Sequence, residues 1–189
     1  MPQKGFSVVF QNLLTHPNIN IELNSDASKR IKINEENILF DEQIWEKPIL
    51  YTGSIDELLN YEFGELPYRS IDMEFEFHKL NNYQPLAVVN YPNEEKFTRI
   101  TEFKYLTGQV LKNKTTILKE YPKECKRSGN NYDIPYYPII NDSNIALYSK
   151  YRKVLSKFKN FYVCGRLGEY KYYNMDTAIE QAFLFAENF

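Results

Sequence analysis

The sequence predicts an α+β fold, with a central antiparallel sheet of about five to six strands flanked by helices. Apolar and polar residues alternate through the middle of the chain, and Asn, Pro and Gly interrupt this pattern at hairpin intervals. At both ends, apolar residues recur at helical spacing instead. The 189 residues are enough to bury a substantial core.

The N-terminal third is predicted to contain short elements. A first helix is indicated by apolar residues at i, i+3, i+4 and i+7, namely Phe6, Val9, Phe10 and Leu13. Alternation within residues 19–23 and 31–33 predicts two short paired strands around a turn at residues 24–28. A further strand is expected at residues 49–52, followed by a glycine turn and a short helix that ends near Asn60.

The central part is predicted to be an antiparallel meander. From Tyr68 the period is two, so one side of this strand is expected to face the core: Ile71, Met73, Phe75 and Phe77. Further strands are predicted at residues 86–90, 97–105 and 115–121, with turn residues between them.

The C-terminal part returns to helical spacing after Pro138. Residues 142–144 offer helix caps, and one face of the helix is expected to carry Ile145, Tyr148, Arg152, Leu155 and Phe158. Residues 161–164 form a continuous apolar run, which is typical of a strand covered on both faces. A final helix is predicted after Asn174, with an apolar face formed by Ile179, Ala182, Phe183 and Ala186.

Composition and missing motifs exclude several function classes. Lys plus Arg number 23 against 25 Asp plus Glu, so no strong positive field favours nucleic acid. No apolar run reaches the ~20 residues of a membrane span and no secretory signal is evident, so we expect a cytoplasmic protein. Cys125 and Cys164 lack the spacing of a metal site or a disulfide framework. GxGxxG, GxxxxGK[ST], HExxH and GxSxG are all absent.

Arginines and tyrosines near predicted strand ends remain as candidate binding residues. The guanidinium groups of Arg69, Arg99 and Arg166 match the geometry of a diphosphate. Arg166 also follows a buried strand and a glycine, a position where sheets commonly meet ligands. Ion pairs with the 25 carboxylates would explain the arginines equally well, and core packing would explain the tyrosines at 136–137 and 170–173.

Six ordered motifs, taken together, closely resemble UDP-galactopyranose mutases. They are Tyr51–Asp56 (YTGSID), Leu66–Ser70 (LPYRS), Ala87–Tyr91 (AVVNY), Phe97–Glu102 (FTRITE), Pro135–Ile139 (PYYPI) and Gly165–Asp176, which contains GRLG and YYNMD. The opening segment PQKGFS is also similar to that family, so the resemblance covers essentially the whole chain.

The resemblance implies an isomerase that interconverts UDP-galactopyranose and UDP-galactofuranose, a precursor of cell-surface polysaccharide, with reduced FAD. It makes Arg99 the catalytic arginine that bridges the substrate diphosphate and balances the charge on departing UDP. It places the hydroxyls of Tyr137 and Tyr172 on the phosphates, and it puts Asn90 and Asn174 near the substrate. Asn174 stands where many members carry an aspartate.

For the cofactor, the resemblance assigns Arg69, Arg166 and Met175 to the FAD side. Family members also carry a Rossmann-type half with GxGxxG, which this sequence lacks. The chain therefore resembles the C-terminal half: residues 67–140 form the substrate-domain sheet, while residues 1–66 and 141–189 are pieces of an incomplete FAD-binding layer.

Alone, the chain is expected neither to hold FAD tightly nor to turn over substrate. The missing half would be supplied in cis or in trans, and the chain could also pair with a second copy. The alternative is a stand-alone, non-catalytic module that binds nucleotide sugar or a partner protein. A third reading is that apolar surface meant for the missing half makes the chain self-associate.

Overall fold

The computed structural model describes residues 2, 4–127 and 132–187. The chain divides into two compact units, each described by itself below. The sheet unit comprises residues 1–23 and 70–124, and the αβ unit comprises residues 24–69 and 125–189.

Helices and strands alternate irregularly along the described chain. The helices are α1 (Phe6–Leu13), α2 (Ala27–Arg30), α3 (Ile55–Leu58), α4 (Phe103–Thr107), α5 (Asp142–Leu155), α6 (Gly165–Gly168) and α7 (Met175–Glu187). The strands are β1 (Ile31–Ile33), β2 (Ile38–Phe40), β3 (Gln43–Ile44), β4 (Ile49–Tyr51), β5 (Tyr68–His78), β6 (Val88–Asn90), β7 (Arg99–Glu102), β8 (Thr115–Glu124), β9 (Tyr137–Pro138) and β10 (Phe161–Val163).

The largest sheet has five strands in the order β6-β7-β8-β5-β9. β6 pairs with β7, β7 with β8 and β5 with β9, and all three pairings are antiparallel. This confirms the predicted α+β class and its antiparallel sheet. Two smaller sheets, β1-β2-β3 and the parallel pair β10-β4, belong to the αβ unit.

In the sheet unit, the strand predicted at residues 97–105 is shorter than expected. β7 ends at Glu102, and the chain continues as α4, which closes at Gly108 in the left-handed conformation (φ 69°). The Lys104 ammonium donates to the carbonyls of Leu111 (3.1 Å) and Lys114 (3.3 Å). These bonds tie the helical turn to the following loop, so tertiary contacts override the strand pattern here.

The apolar side of β5 was predicted to face the core, and in the described structure it does not. Met73, Phe75 and Phe77 are 43%, 64% and 60% exposed. The opposite side is polar and pairs with β8 through Lys123 to Asp72 (2.7 Å), the Tyr121 hydroxyl to Glu74 (2.8 Å) and Lys119 to Glu76. The alternation is therefore correct, whereas the assignment of its apolar side to a core is wrong for the described sheet unit.

Glu102 is a buried charge in the sheet unit, with no exposed surface. Its carboxylate accepts from the Thr115 hydroxyl (2.5 Å) and from the amides of Tyr83 (3.1 Å) and Gln84 (3.0 Å). Burial alone would raise the pKa of Glu102, but these hydrogen bonds outweigh it and lower the pKa below its ordinary value of 4.5.

Glu102 consequently makes the stability of the chain pH-dependent. The pKa of Glu102 is lower in the folded chain than in the unfolded one. Its contribution to the free energy of unfolding is therefore complete above pH 4.5 and is lost as the pH falls through the folded pKa. We expect Glu102→Gln to cost about 1.5–3 kcal/mol at neutral pH, as for hydrogen bonds to a charged group. Urea unfolding at neutral and strongly acidic pH tests this, and a cost that does not shrink in acid would contradict it.

Of the predicted N-terminal strand pair, residues 31–33 do form a strand, β1, but the predicted pairing is wrong. Residues 19–23 form no strand, and the predicted turn contains α2, whose N-cap Asp26 accepts from the Ser28 amide (3.1 Å). β1 pairs with β2 instead, with Ile31 opposite Phe40. Arg30 supports this hairpin by donating from Nε to the Asp41 carboxylate (2.8 Å).

The αβ unit contains the main apolar core. β4 and β10 lie in parallel with Phe161 opposite Ile49, which confirms both predicted strands. The core around them includes Ile31, Ile38, Tyr51, Ile55, Leu58, Leu66, Tyr68, Tyr151, Leu155 and Phe161.

The helix predicted after Pro138 is α5; its cap differs from the prediction, and its predicted inner face is confirmed in part. Its N-cap is Asn141, which accepts from the Asn144 amide (2.8 Å). Of the predicted face, Leu155 is buried and Tyr148 and Phe158 pack against the core, whereas Ile145 is 45% exposed. Asn144 and Tyr151 are buried as well. The helix therefore presents a slightly rotated face to the core.

Two helices, one in each unit, expose their apolar faces. On α1, Phe10 is 51% and Leu13 is 62% exposed, and on α7, Ile179 is 53% and Phe183 is 67% exposed. Both helices begin where the sequence predicts, at Phe6 and directly after Asn174. No described helix combines the length and the apolar character that a membrane span requires.

We expect these faces to make the isolated chain self-associate, because large exposed apolar patches commonly drive association. Sedimentation velocity at several concentrations measures this directly. Ile179→Lys combined with Phe183→Lys should weaken association by roughly tenfold or more. Glu180→Lys, at an exposed polar position of the same helix, is the control and should act far less. A strict monomer at every concentration would rule the expectation out.

Candidate ligand-binding site

Predicted site residues fall into two clusters, one in each unit. In the sheet unit, the Arg99 cluster consists of Asn90, Arg99 and Glu120. Antiparallel register places Asn90 opposite Arg99 and Arg99 opposite Glu120, on β6, β7 and β8 respectively. Residues directly opposite each other share one face of a sheet, so the three side chains meet.

The Arg99 guanidinium is held in place by two neighbours but is still partly exposed. Its Nε donates to Asn90 Oδ1 (3.1 Å), and its Nη1 lies 3.6 Å from Glu120 Oε1. The side chain of Arg99 remains 42% exposed, whereas that of Glu120 is 13% exposed. Arg99 is thus both tied to a carboxylate and open to an anion, which would compete with Glu120 for the same N–H groups.

Glu120 was not identified from the sequence. It lies in a strand that the period-two pattern predicts, but its role depends on cross-strand register. Register is not visible in the spacing of a single strand, so only the pairing itself could have identified Glu120.

In the αβ unit, the Arg166 cluster consists of Tyr137, Arg166, Tyr172 and Asn174. β4 and β10 end side by side, and the chain turns after β10 at Gly165, which has a positive φ of 87°. A Cβ atom at Gly168 would lie 3.0 Å from the Tyr51 carbonyl oxygen, so α6 packs closely on the end of β4. This turn places Arg166 beyond the carboxyl end of a parallel strand, as the sequence predicts.

The Arg166 guanidinium contacts two tyrosine rings. Its Cζ lies 4.5 Å from the centroid of Tyr172 and 5.3 Å from that of Tyr137, and the two centroids are 5.4 Å apart. Stacking of this kind fixes a guanidinium plane without satisfying its N–H groups.

Two of those N–H groups have no acceptor. Nε and Nη2 of Arg166 are buried, and within the described chain neither has a hydrogen-bond partner. A buried, unsatisfied donor costs about 1–3 kcal/mol, more when it is charged. The arrangement is therefore suited to an anionic acceptor that completes the site.

Two further predicted residues, Arg69 and Met175, belong to the same unit. Arg69 is exposed and stands opposite Tyr137 in the pairing of β5 with β9. The Tyr172 hydroxyl lies 3.4 Å from Asn174 Oδ1, a long hydrogen bond. Met175 begins α7 and is 53% exposed.

Neighbouring tyrosines support the segment that carries Tyr172. Burial raises the pKa of both Tyr148 and Tyr170 to about 12. The Tyr148 hydroxyl donates to the Gly168 carbonyl (3.1 Å), and the Tyr170 hydroxyl lies within hydrogen-bonding distance of the Pro67 carbonyl (2.7 Å). These hydroxyls stay protonated at neutral pH and hold the backbone around α6 in place. Tyr172 also lines a groove of about 640 Å³ between α5 and α7.

Comparison with known proteins identifies the family. The family model described as UDP-galactopyranose mutase matches residues 1–172. The chain belongs to the UDP-galactopyranose mutase family. This confirms the resemblance inferred from the six motifs.

Similar curated proteins agree with this assignment. The chain is 36% identical over 188 residues to UDP-galactopyranose mutase of Mycoplasma pneumoniae, covering 99% of this chain and 47% of that protein. It is 37% identical over 180 residues to UDP-galactopyranose mutase of Mycoplasma genitalium, covering 95% of this chain and 44% of that protein. It is 34% identical over 183 residues to dTDP-fucopyranose mutase of Escherichia coli, covering 96% and 46%. The chain thus spans less than half the length of these relatives.

Proposed function

We propose that the chain is the C-terminal part of a flavin-dependent isomerase that interconverts UDP-galactopyranose and UDP-galactofuranose. The observation that carries the proposal is the Arg166 guanidinium, stacked against Tyr137 and Tyr172 with two buried N–H groups that lack an acceptor. In this family of mutases, an anionic cofactor or substrate is the natural acceptor. The product would serve as a precursor of cell-surface polysaccharide, made in the cytoplasm.

The residues of the αβ unit fit the cofactor. Arg166 and Arg69 would hold the diphosphate of FAD, since a guanidinium fork matches phosphate oxygens. Met175, at the start of the 13-residue helix α7, would lie on the same cofactor side. When bound, reduced FAD supplies the nucleophile for sugar isomerisation. The unpaired N–H groups of Arg166 are the structural feature that supports this proposal.

The residues proposed for the substrate have roles that follow from their chemistry. Arg99 would bind the diphosphate and stabilise the negative charge that develops as UDP departs, and Asn90 orients it through the 3.1 Å bond to Nε. The hydroxyls of Tyr137 and Tyr172 would donate to phosphate oxygens. Asn174 accepts from Tyr172 in the present structure and adds no charge.

A second candidate is a non-catalytic module that binds nucleotide sugar. The observation that favours it is that both arginine clusters are formed in a chain spanning 44–47% of its relatives. Such a module would bind ligand without flavin and without turnover.

Titration with FAD separates the two candidates. We expect the chain alone to retain FAD weakly and to show no mutase activity. Adding the part of the Mycoplasma pneumoniae mutase that this chain does not match should restore flavin retention and activity. Arg166→Met should abolish that retention, while Arg152→Met on α5, a control for loss of positive charge, should leave it intact. Ligand binding that persists without flavin and never leads to turnover would favour the module.

A further inference from the structure

A buried carboxylate contacts the loop that leads into β6. This loop, residues 79–87, carries no regular strand, yet Glu102 on β7 accepts from its amides at Tyr83 (3.1 Å) and Gln84 (3.0 Å). The Glu102 amide in turn donates to the Ala87 carbonyl (2.8 Å). Glu102 therefore bonds to the middle of the loop through its carboxylate and to the end of the loop through its backbone amide.

Gln84, inside the loop, makes further hydrogen bonds to the loop and to β7. It is 7% exposed, and its Nε2 donates to the carbonyls of Leu86 (2.8 Å) and Ile100 (3.1 Å). The Tyr105 hydroxyl donates to the Gln84 carbonyl (3.0 Å). The loop is consequently bonded to β7 and α4 at several points: Gln84 and Glu102 hold its middle and its end, whereas the Lys104 ammonium on α4 donates to the Asn81 carbonyl near its start.

The strand that follows the loop has little support of its own. β6 contains three residues and lies at the edge of the sheet, so among the described strands it pairs with β7 alone. Its last residue, Asn90, holds Arg99, and just beyond it the Tyr91 amide donates to the Thr98 carbonyl (2.9 Å). A three-residue edge strand has too few bonds to stay in register once the loop before it is released.

We propose that Glu102 is a positioning residue for Arg99: by tying loop 79–87 to β7, its carboxylate fixes β6 and so keeps Asn90 on the Arg99 guanidinium. Glu102 is not a catalytic residue, because it lies three positions from Arg99 in the same strand and faces the opposite side. An effect of Glu102 on UDP binding rests on the proposed function. The positioning of Arg99 by Glu102 does not.

Amide hydrogen exchange and side-chain NMR of the full chain test the proposal. In Glu102→Gln, the Tyr91 amide should exchange at least about tenfold faster. The chemical shift of the Arg99 Nε–H group should move to the value of a solvent-exposed arginine, because its bond to Asn90 is lost. These reporters lie at the far end of β6 from Glu102. If only Tyr83 and Gln84 exchange faster while Tyr91 and Arg99 are unchanged, Glu102 merely stabilises its loop and the proposal is overturned.

Two further variants keep the test decisive. Asp72→Asn removes the same charge from an exposed pair with Lys123 and should leave both reporters unchanged; an equal effect would overturn the proposal. Should Glu102→Gln fail to fold, Gln84→Met serves instead. It removes the side-chain hydrogen bonds of Gln84 to the loop and to β7, and must change the same two observables. Unchanged reporters in that variant overturn the proposal as well.

UDP titration separates this inference from the proposed function. If the parent chain binds UDP, Glu102→Gln should weaken binding by about tenfold, and adding Asn90→Ala should weaken it little further. If UDP binds neither the parent chain nor the supplemented one, the proposed substrate role of Arg99 fails. The exchange and NMR reporters still decide whether Glu102 positions Arg99.

Discussion

Replacing Asp56 with Asn is expected to lower the free energy of unfolding by about 3–5 kcal/mol, the cost of breaking a buried ion pair. Asp56 and Arg127 have side chains 0% and 1% exposed, with Arg127 Nη2 2.5 Å from Asp56 Oδ2 and Nη1 3.2 Å from Oδ1. The same carboxylate accepts from the Leu66 amide (2.7 Å). An asparagine amide would leave the guanidinium buried without its counter-charge.

Among the described residues, Asp56 is the carboxylate that pairs with Arg127. Burial disfavours its charged form, but the bonds to Asp56 more than offset this and raise the pKa of Arg127. Its Nη2 also donates to the Leu66 carbonyl (2.7 Å), and its Cζ lies 4.9 Å from the Tyr68 ring. The pair therefore holds α3 to the start of β5, where Arg69 follows directly.

Urea and thermal unfolding followed by circular dichroism measure this effect. Asp72→Asn, which removes the exposed partner of Lys123, is the matched control and should cost less than about 1 kcal/mol. Combining Asp56→Asn with Arg127→Met removes the stranded charge and should recover part of the loss. A loss below about 1 kcal/mol in Asp56→Asn would mean that the pair does not hold the unit together.

This ion pair shows where sequence reasoning stops. Asp56 lies in the YTGSID motif and was singled out with it, whereas Arg127, 71 residues away, was not identified. Nothing in the local pattern around Arg127 indicates burial, because its partner is set by tertiary packing. A buried arginine in an otherwise polar segment becomes visible only once the chain is folded.

Elements with sustained periodicity were predicted well, and short ones were not. β5 alternates over 11 residues and α5 keeps helical spacing over 14, so each pattern dominates its local alternatives. Residues 19–23 offer only three alternating apolar positions, too few to specify a strand without a partner. The burial of β5 was misjudged because periodicity indicates which residues share a side, and not whether anything covers that side.

The candidate site was predicted in part for the same reason. Positions near predicted strand ends already indicated Arg99 and Arg166, and the family resemblance added Asn90 and the roles of Tyr137 and Tyr172. The structure places Asn90 against Arg99 and both tyrosines against Arg166. It also adds Glu120 and Glu102, whose contributions depend on cross-strand register and loop packing. Both contributions come from non-local contacts, which a single sequence does not encode in its spacing.

Arg99→Met is expected to weaken UDP binding at least roughly thirtyfold, since removing one partner of a charged hydrogen-bonded pair costs about 2–5 kcal/mol. Asn90 and Glu120 hold the guanidinium from two sides, so binding a diphosphate requires little ordering of the arginine. The Glu120 contact, at 3.6 Å, is long for an ion pair and can yield to phosphate oxygens.

Isothermal calorimetry with UDP, on the chain supplemented with the unmatched part of the Mycoplasma pneumoniae mutase, measures the loss. Lys123→Met removes one positive charge from the neighbouring strand β8 and should change the affinity less than about twofold. Arg99→Lys keeps the charge but not the planar fork, so it should recover only part of the affinity. Equal losses in Arg99→Met and Lys123→Met would show that UDP senses the overall charge of the sheet and not a specific arginine, because only a directed contact distinguishes two cations on adjacent strands.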